Sequence, residues 1–153
     1  MKREKMNDKG FSLVELIIVI AIMAVLVVVL APQYLKYVER SRNSTDLQNA
    51  TAIVTACQVW AADPTVASDK TFKTGTFEIT VTDSNASVTD QKPAQNKDAA
   101  EAAVADASIT LSDVKCKSKT KWTQYVITGT VNADGGITFT YSDANFANAM
   151  AGE

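Results

Sequence analysis

The most prominent feature of the hydropathy pattern is an apolar run near the N-terminus. From Phe11 to Ala31 only Ser12 and Glu15 are not apolar. A membrane-spanning helix needs about 20 apolar residues at a rise of about 1.5 Å each, so the run predicts a transmembrane helix over residues 11–31. It is longer than the apolar region of a cleavable secretory signal, which has about 7 to 15 residues. The charged residues that precede it are mainly basic, which favours a cytoplasmic N-terminus.

After the apolar run the pattern acquires a helical periodicity. Small and apolar residues recur at steps of three and four: Leu47, Ala50, Val54, Cys57 and Ala61. This spacing predicts one face of an amphipathic helix that packs against a sheet. We therefore expect the helix to continue over residues 32–62 and to end before Asp63-Pro64. Pro32 has no amide donor, so a kink is predicted there.

Within residues 63–153, apolar and polar residues alternate in several short stretches, which predicts a mainly antiparallel sheet. Residues 76–82, TFEITVT, alternate as in a half-buried strand. Residues 122–131 and 137–141 flank a glycine-containing turn and predict a hairpin. Residues 97–107 are rich in alanine and predict a short helix, and the residues between the first strand and this helix have loop composition. The expected fold class is α+β: one long N-terminal helix, half membrane span and half amphipathic, packed on an antiparallel β-sheet head.

A lone acid distinguishes the apolar run from a simple membrane anchor. In KGFSLVELIIVI, residues 9–20, Glu15 is the fifth residue of the span. An ionised group near hydrocarbon costs on the order of a few kcal/mol and indicates a function. Gly10 has no side chain and tolerates unusual dihedrals, so it would either break the helix before the span or let an active site at the membrane surface approach the backbone; the glycine alone does not separate the two.

These residues resemble those of the type IV pilins and their relatives, the pseudopilins. In that family a short basic leader ends in glycine, and prepilin peptidase cuts after it. The new first residue, usually phenylalanine, is N-methylated, and the fifth is glutamate. The resemblance implies cleavage between Gly10 and Phe11, N-methylation of Phe11 and a role for Glu15 in assembly. Such a cut would free an amine on Phe11, a cation that could pair with a carboxylate of its own helix or of a neighbour. It extends over residues 12–42, about a fifth of the chain, and includes Pro32.

The resemblance also implies how the chain is organised and where it acts. Residues 1–10 would be a cleaved cytoplasmic leader, residues 11–31 a transmembrane and filament-core helix, residues 32–62 its amphipathic continuation, and residues 63–153 a globular head. Together they would form a pilin-like lollipop. The implied function is that of a structural subunit of a type IV pilus, assembled into a helical surface filament. The subunit would cross the inner or cytoplasmic membrane once, with its head outside the cytoplasm, and then enter the cell-surface pilus.

The implied partners are other copies of the chain, prepilin peptidase, the pilus assembly platform in the membrane and, before assembly, membrane lipid. Two other functions fit the same N-terminal features. A pseudopilin of a type II secretion or competence system shares the cleavage site and the span but builds a short piston. A membrane-anchored extracellular binding module would carry the Gly-Phe pair by accident. For a pilus, adhesion, motility and DNA uptake are all open as roles.

The head offers little catalytic chemistry. The chain has no histidine, which removes Ser-His and Cys-His nucleophile pairs and the commonest metal ligand. It has no glycine-rich phosphate loop. We therefore expect a protein that is not an enzyme and has neither a cofactor nor a metal site. Asp134, Asp143 and Asn145 carry oxygen ligands of the kind that calcium prefers, but their spacing matches no EF-hand, and turn residues explain them more simply.

Four lysines alternate with other residues in KCKSKTK, residues 115–121. In a strand, Lys115, Lys117, Lys119 and Lys121 would share one side and form a basic ridge for phosphate groups or for an acidic neighbouring subunit. The simpler alternative is an edge strand that its lysines protect from pairing. The net charge of the chain is -2 and no aromatic residue interrupts the ridge, so we expect no nucleic-acid partner.

The chain has two cysteines, Cys57 and Cys116. Outside the membrane, an oxidising environment would allow a disulfide between the helix and the head, which would stabilise the fold by about 4 kcal/mol. The alternative is two separate buried thiols, which behave as small apolar side chains.

Overall fold

The computed structural model describes residues 10–89 and 92–152. In this part of the chain one long helix is followed by strands and short helices. In chain order the elements are α1 (Leu13–Ala62), β1 (Gly75–Val81), β2 (Ala86–Thr89), α2 (Gln95–Asp106), a 3-10 helix (Leu111–Asp113), β3 (Tyr125–Val131), β4 (Ile137–Tyr141) and α3 (Ala144–Ala151). The chain divides between Val38 and Glu39 into two compact units.

The N-terminal unit contains the apolar part of α1. Its large apolar side chains are exposed, from 92% for Phe11 to 50% for Val19. By length and composition α1 can cross a membrane. The helix continues without a break through Pro32, and the kink expected at that residue stays a prediction. An apolar surface of this extent needs lipid or protein around it.

The second half of α1 contributes one face to the core of the C-terminal unit. The buried residues on this face are Asp46, Ala50, Ile53, Ala56 and Cys57. The predicted apolar stripe is confirmed at Ala50 and Cys57, and Leu47 and Val54 pack against the core with partial burial. Ala61 is exposed, so the stripe ends one turn earlier than predicted. The helix ends before the Asp-Pro pair, as expected.

The four strands of the described residues form one antiparallel sheet in the order β2-β1-β3-β4. β1 pairs with β3 from Gly75 opposite Val131 to Val81 opposite Tyr125, and β3 and β4 form the predicted hairpin. The α+β fold class is therefore confirmed. β3 begins three residues later than predicted, because the residues before it turn towards α1. β2 lies in the segment predicted to be loop, since four residues are too few for alternation to stand out.

The core joins α1 to the sheet and to α3. The ring of Phe146, on α3, stacks on that of Tyr125 with centroids 4.1 Å apart, and it meets the Trp122 ring edge-on at 5.0 Å. On the sheet, Gly129 lies opposite Phe77, and a Cβ at Gly129 would come closer than 3.0 Å to that ring. Glycine therefore provides the space for a core aromatic. The C-terminal helix α3 helps to close the core through its buried Phe146.

Candidate processing and assembly site

The predicted cleavage site lies immediately before α1. Gly10 and Phe11 are both outside the helix, and Phe11 is 92% exposed. A Cβ added at Gly10 would meet no other described atom within 4 Å, and Gly10 does not have a left-handed φ. The fold of this chain therefore gives no reason for a glycine at this position.

Two side chains cap the first turn of α1. Ser12 precedes the helix, and its carbonyl oxygen accepts from the Leu16 amide at 3.2 Å. Its Oγ accepts from the Val14 amide at 3.3 Å, and Glu15 Oε2 accepts from the Ser12 amide at 2.8 Å. This arrangement is a variant of the capping box, because the serine hydroxyl accepts from the second amide of the helix, that of Val14, and not from the amide of Glu15. We call it the capping box below. The capping box explains why the helix begins at Leu13, two residues later than predicted.

Glu15 has one carboxylate oxygen available for a further contact. The side chain is exposed on the helix surface, and Oε2 is occupied by the Ser12 amide. Its Oε1 has no hydrogen-bond or ionic partner in the described part of the chain. A carboxylate forms its strongest hydrogen bonds with charged donors. The amine that cleavage would free on Phe11 is a donor of this kind.

A second polar cluster joins α1 to residues 115–122 (the 115–122 loop). Glu39 Oε1 accepts from the amides of Lys119 at 2.6 Å and Thr120 at 2.9 Å. The same oxygen accepts from the hydroxyls of Ser118 at 3.0 Å and Thr120 at 3.1 Å. The hydrogen bond from the Lys119 amide is the main reason why the pKa of Glu39 is lowered from 4.5 to about 2, although desolvation acts in the opposite direction.

Asp46 lies two turns further along α1 and is fully buried. Its Oδ1 accepts from the Lys117 amide at 2.7 Å. Its Oδ2 accepts from the Ser118 amide at 2.9 Å and from the Trp122 indole at 2.8 Å. Glu39 and Asp46 together form what we name the carboxylate clasp. The clasp holds the 115–122 loop against the helix.

The prediction of a strand over residues 115–121 is wrong. These residues form no strand, because the amides of Lys117 and Lys119 donate to the carboxylate clasp instead of to a neighbouring strand. All four lysines, Lys115, Lys117, Lys119 and Lys121, are exposed and make no salt bridge with the described residues. The basic ridge therefore lies on an anchored loop, and its binding role stays a prediction.

In the structure both cysteines are buried and free, and the disulfide between them stays a prediction for the exported chain. Burial raises the pKa of Cys57 to about 12. Burial likewise raises the pKa of Cys116 to about 12, and the nearby Asp46 carboxylate, with Oδ2 3.6 Å from Cys116 Sγ, acts in the same direction. Because the thiolate is the reactive form, such thiols react slowly at neutral pH.

The acids considered for calcium accept hydrogen bonds from nearby amides. Asp134 Oδ1 accepts from the Gly136 amide at 3.1 Å, within the turn of the hairpin. Asp143 Oδ1 accepts from the Phe146 amide at 2.9 Å and caps α3. Within residues 10–89 and 92–152, no three side chains of the His, Cys, Asp or Glu type gather in a group that could hold a metal ion.

Sequence reasoning missed Ser12, Glu39 and Asp46. The Ser-x-x-Glu spacing of the capping box is visible in the sequence and was a usable signal. Asp46 precedes Ala50 by four residues and so continues the apolar stripe by one turn. A polar residue at such a position indicates a buried side chain with hydrogen-bond partners. Glu39 has no comparable local signal.

A match to a known protein family covers the region around the candidate cleavage site. Residues 5–31 match the prokaryotic N-terminal methylation motif. The methylation motif includes Gly10, Phe11, Ser12 and Glu15, together with the rest of the apolar run. The motif thus covers both the candidate cleavage site and the capping box.

The chain is also similar to prepilin peptidase-dependent protein A of Clostridium perfringens (strain 13 / Type A). The two are 34% identical over 85 residues, which are 55% of this chain and 56% of the relative. The match therefore spans about half the length of that curated relative. No solved structure matches the chain. The methylation motif, this relative and the apolar α1 are together consistent with a pilin-like protein anchored in a membrane.

Proposed function

We propose that this chain is a structural subunit of a type IV pilus. Prepilin peptidase cuts it between Gly10 and Phe11, the new amine is methylated once, and the mature chain enters a helical surface filament. The observation that carries the proposal is the methylation motif over residues 5–31, which coincides with an exposed, non-helical Gly-Phe pair before an apolar helix. The similar clostridial protein is named for its dependence on prepilin peptidase, which supports the same processing here.

The surroundings of the Gly10–Phe11 bond support its role as a cleavage site. The bond lies outside α1, so the helix does not enclose it. Because a Cβ at Gly10 would meet no described atom, the fold itself would tolerate a larger residue. The close approach of an active site to the backbone explains the glycine instead.

The exposed apolar surface of α1 supports assembly. Side chains such as Ile17 and Ile18 are about half exposed within the subunit, although burial of apolar area is favourable at about 25 cal/mol per Å². Lipid covers this surface before assembly, and the equivalent helices of other copies cover it in the filament. Glu15 pairs with the Phe11 amine of another copy and sets the axial register.

In this proposal each part of the chain has one task. Residues 1–10 are the cytoplasmic leader, residues 11–31 the membrane span and filament core, residues 32–62 the amphipathic continuation, and residues 63–153 the head outside the cytoplasm. The pilus assembly platform moves the subunit from the membrane into the surface filament. This role is structural and not enzymatic.

The proposal is tested on material sheared from the surface of cells that express the chain. Electron microscopy is expected to show long fibres, and intact mass spectrometry is expected to show a subunit without residues 1–10 and with one added methyl group. A processed subunit without long fibres would support the pseudopilin alternative. A membrane-bound chain that keeps its first ten residues would support the anchored binding module.

Gly10→Leu tests the cleavage step separately. The variant should insert into the membrane normally, because residues 11–31 are unchanged, but it should stay uncut. Gly10→Ala is the matched control, since it adds only one methyl group in open space, and it should be cut more readily than the leucine variant. Immunoblots of membrane fractions distinguish precursor from mature chain. Normal amounts of mature Gly10→Leu protein would contradict the assignment.

A further inference from the structure

The start of α1 has backbone amides that no helical carbonyl can satisfy. Water binds such groups at the surface of a soluble protein, but an unsatisfied amide in an apolar environment is strongly unfavourable. In this chain two of these amides have acceptors close by. The Ser12 amide donates to Glu15 Oε2 at 2.8 Å, and the Val14 amide donates to Ser12 Oγ at 3.3 Å.

We propose that Ser12 is a positioning residue for filament assembly and acts through the capping box that it forms with Glu15. The capping box holds Glu15 Oε2 on its own helix and leaves Oε1 for the Phe11 ammonium of a second copy. This inference rests on the proposed function for the ammonium partner. The capping contact itself does not depend on that function, because it lies within one chain.

The capping box separates two properties of Glu15 that a substitution by alanine removes together. One is a neutral property, the ability to accept a hydrogen bond from the Ser12 amide. The other is the negative charge that attracts an ammonium group. Glu15→Gln keeps an acceptor oxygen but has no charge, whereas Glu15→Ala lacks both. The two variants therefore distinguish capping from ion pairing.

The same separation is available at Ser12. Ser12→Ala removes the Oγ that accepts from the Val14 amide and leaves the charge of Glu15 in place. Ser12→Thr keeps a hydroxyl at the same position and is the conservative control, since threonine is also a good N-cap residue. If capping requires the hydroxyl, Ser12→Thr should keep the contact with the Val14 amide and Ser12→Ala should lose it.

Amide hydrogen exchange measured by NMR on the full chain in detergent micelles tests the capping contact. Exchange at Ser12 should be about fivefold faster in Glu15→Ala than in the unmodified chain, as expected for the loss of one hydrogen bond. It should stay near the unmodified rate in Glu15→Gln. Exchange at Val14 should be faster in Ser12→Ala and unchanged in Ser12→Thr. A Ser12 amide whose exchange is unaffected by Glu15→Ala would overturn the capping box.

The yield of sheared filaments from cells that lack the native subunit tests the role in assembly. We expect Ser12→Ala to reduce the yield about fivefold, the factor by which the loss of an N-cap typically shifts a helix equilibrium, with membrane levels and leader cleavage unchanged. Ser12→Thr should restore the yield, and Glu15→Gln should lower it despite intact capping. Equal yields from Ser12→Ala and the unmodified chain would overturn the positioning role. If the unmodified chain kept its leader or formed no filaments, the proposed function would fail instead, and the exchange measurements would still decide whether the capping box exists.

Discussion

Replacing Asp46 with asparagine tests how the carboxylate clasp holds the 115–122 loop. Asparagine has nearly the same size and shape as aspartate, so the substitution creates no cavity in the core. The change is chemical: two acceptor oxygens become one acceptor and one NH₂ donor. Asp46 is fully buried, and its carboxylate accepts from three N–H groups at 2.7 to 2.9 Å.

The cost of Asp46→Asn follows from counting these donors. The best orientation of the new side-chain amide directs its oxygen at Ser118 and Trp122, so that its NH₂ faces the Lys117 amide. One buried donor is then left without an acceptor, at about 1 to 3 kcal/mol, and two hydrogen bonds to a charged acceptor become neutral ones, which are weaker by about 1 kcal/mol each. Relief from burying a charge offsets part of this loss. We expect the free energy of unfolding to fall by about 3 kcal/mol, which is a hundredfold or greater change in the unfolding equilibrium at about 1.4 kcal/mol per factor of ten.

The assay is denaturant unfolding of the full chain in detergent micelles, followed by tryptophan fluorescence. Trp122 is a suitable reporter because its indole contacts Asp46 directly. Asp106→Asn is the matched control, since it makes the same chemical change at an exposed residue at the end of α2, and it should change stability by less than about 0.5 kcal/mol. If Asp46→Asn and the control were equally stable, the clasp would not contribute to stability as argued.

Three further predictions concern the C-terminal unit, Glu39–Glu153. The pKa of Glu39 is lowered from 4.5 to about 2, so its contribution to stability is complete above pH 4.5 and is lost as the pH falls towards 2. The difference in free energy of unfolding between the unmodified chain and Glu39→Gln should therefore shrink as the pH falls through this range. A difference that stays constant with pH would refute this. Gly129→Ala should destabilise the head by about 1 to 3 kcal/mol through overpacking. Gly136→Ala is the control and should cost much less, because an added Cβ there would come no closer than 3.3 Å to its neighbours. Equal thermal midpoints for the two variants would contradict the packing argument. Cys57 and Cys116 should resist alkylation at pH 8 in the folded chain and react rapidly once it is unfolded. Rapid labelling of the folded chain would show that the thiols are accessible, and peptide mapping without reductant would detect a crosslink between them.

The elements that could be predicted from sequence have signals contained in a short stretch of chain. The alternation of Phe77, Ile79 and Val81 follows from the pleat of a strand with one buried face, and the structure confirms it. The apolar run and the capping-box spacing are equally local. The hairpin of β3 and β4 was predictable because its two strands are adjacent in sequence and joined by a glycine-containing turn.

The 115–122 loop could not be predicted in the same way. Its alternating lysines have the period of a strand, but the acceptors of its amides lie on α1, and Lys117 and Asp46 are 71 residues apart in sequence. No local pattern indicates which distant carboxylate will satisfy an amide. Phe146 is a similar case, because the docking of α3 depends on the space beside Tyr125, which the spacing of residues does not reveal.

The 115–122 loop is anchored through its backbone, so the identity of its exposed side chains can change during evolution. Lys117 and Lys119 are held through their backbone amides, and every residue except proline supplies such an amide. Their exposed side chains can therefore be exchanged for others without loosening the loop, whereas Asp46 on the helix cannot. The exposed face of this loop is therefore free to diversify in sequence while the architecture beneath it stays the same.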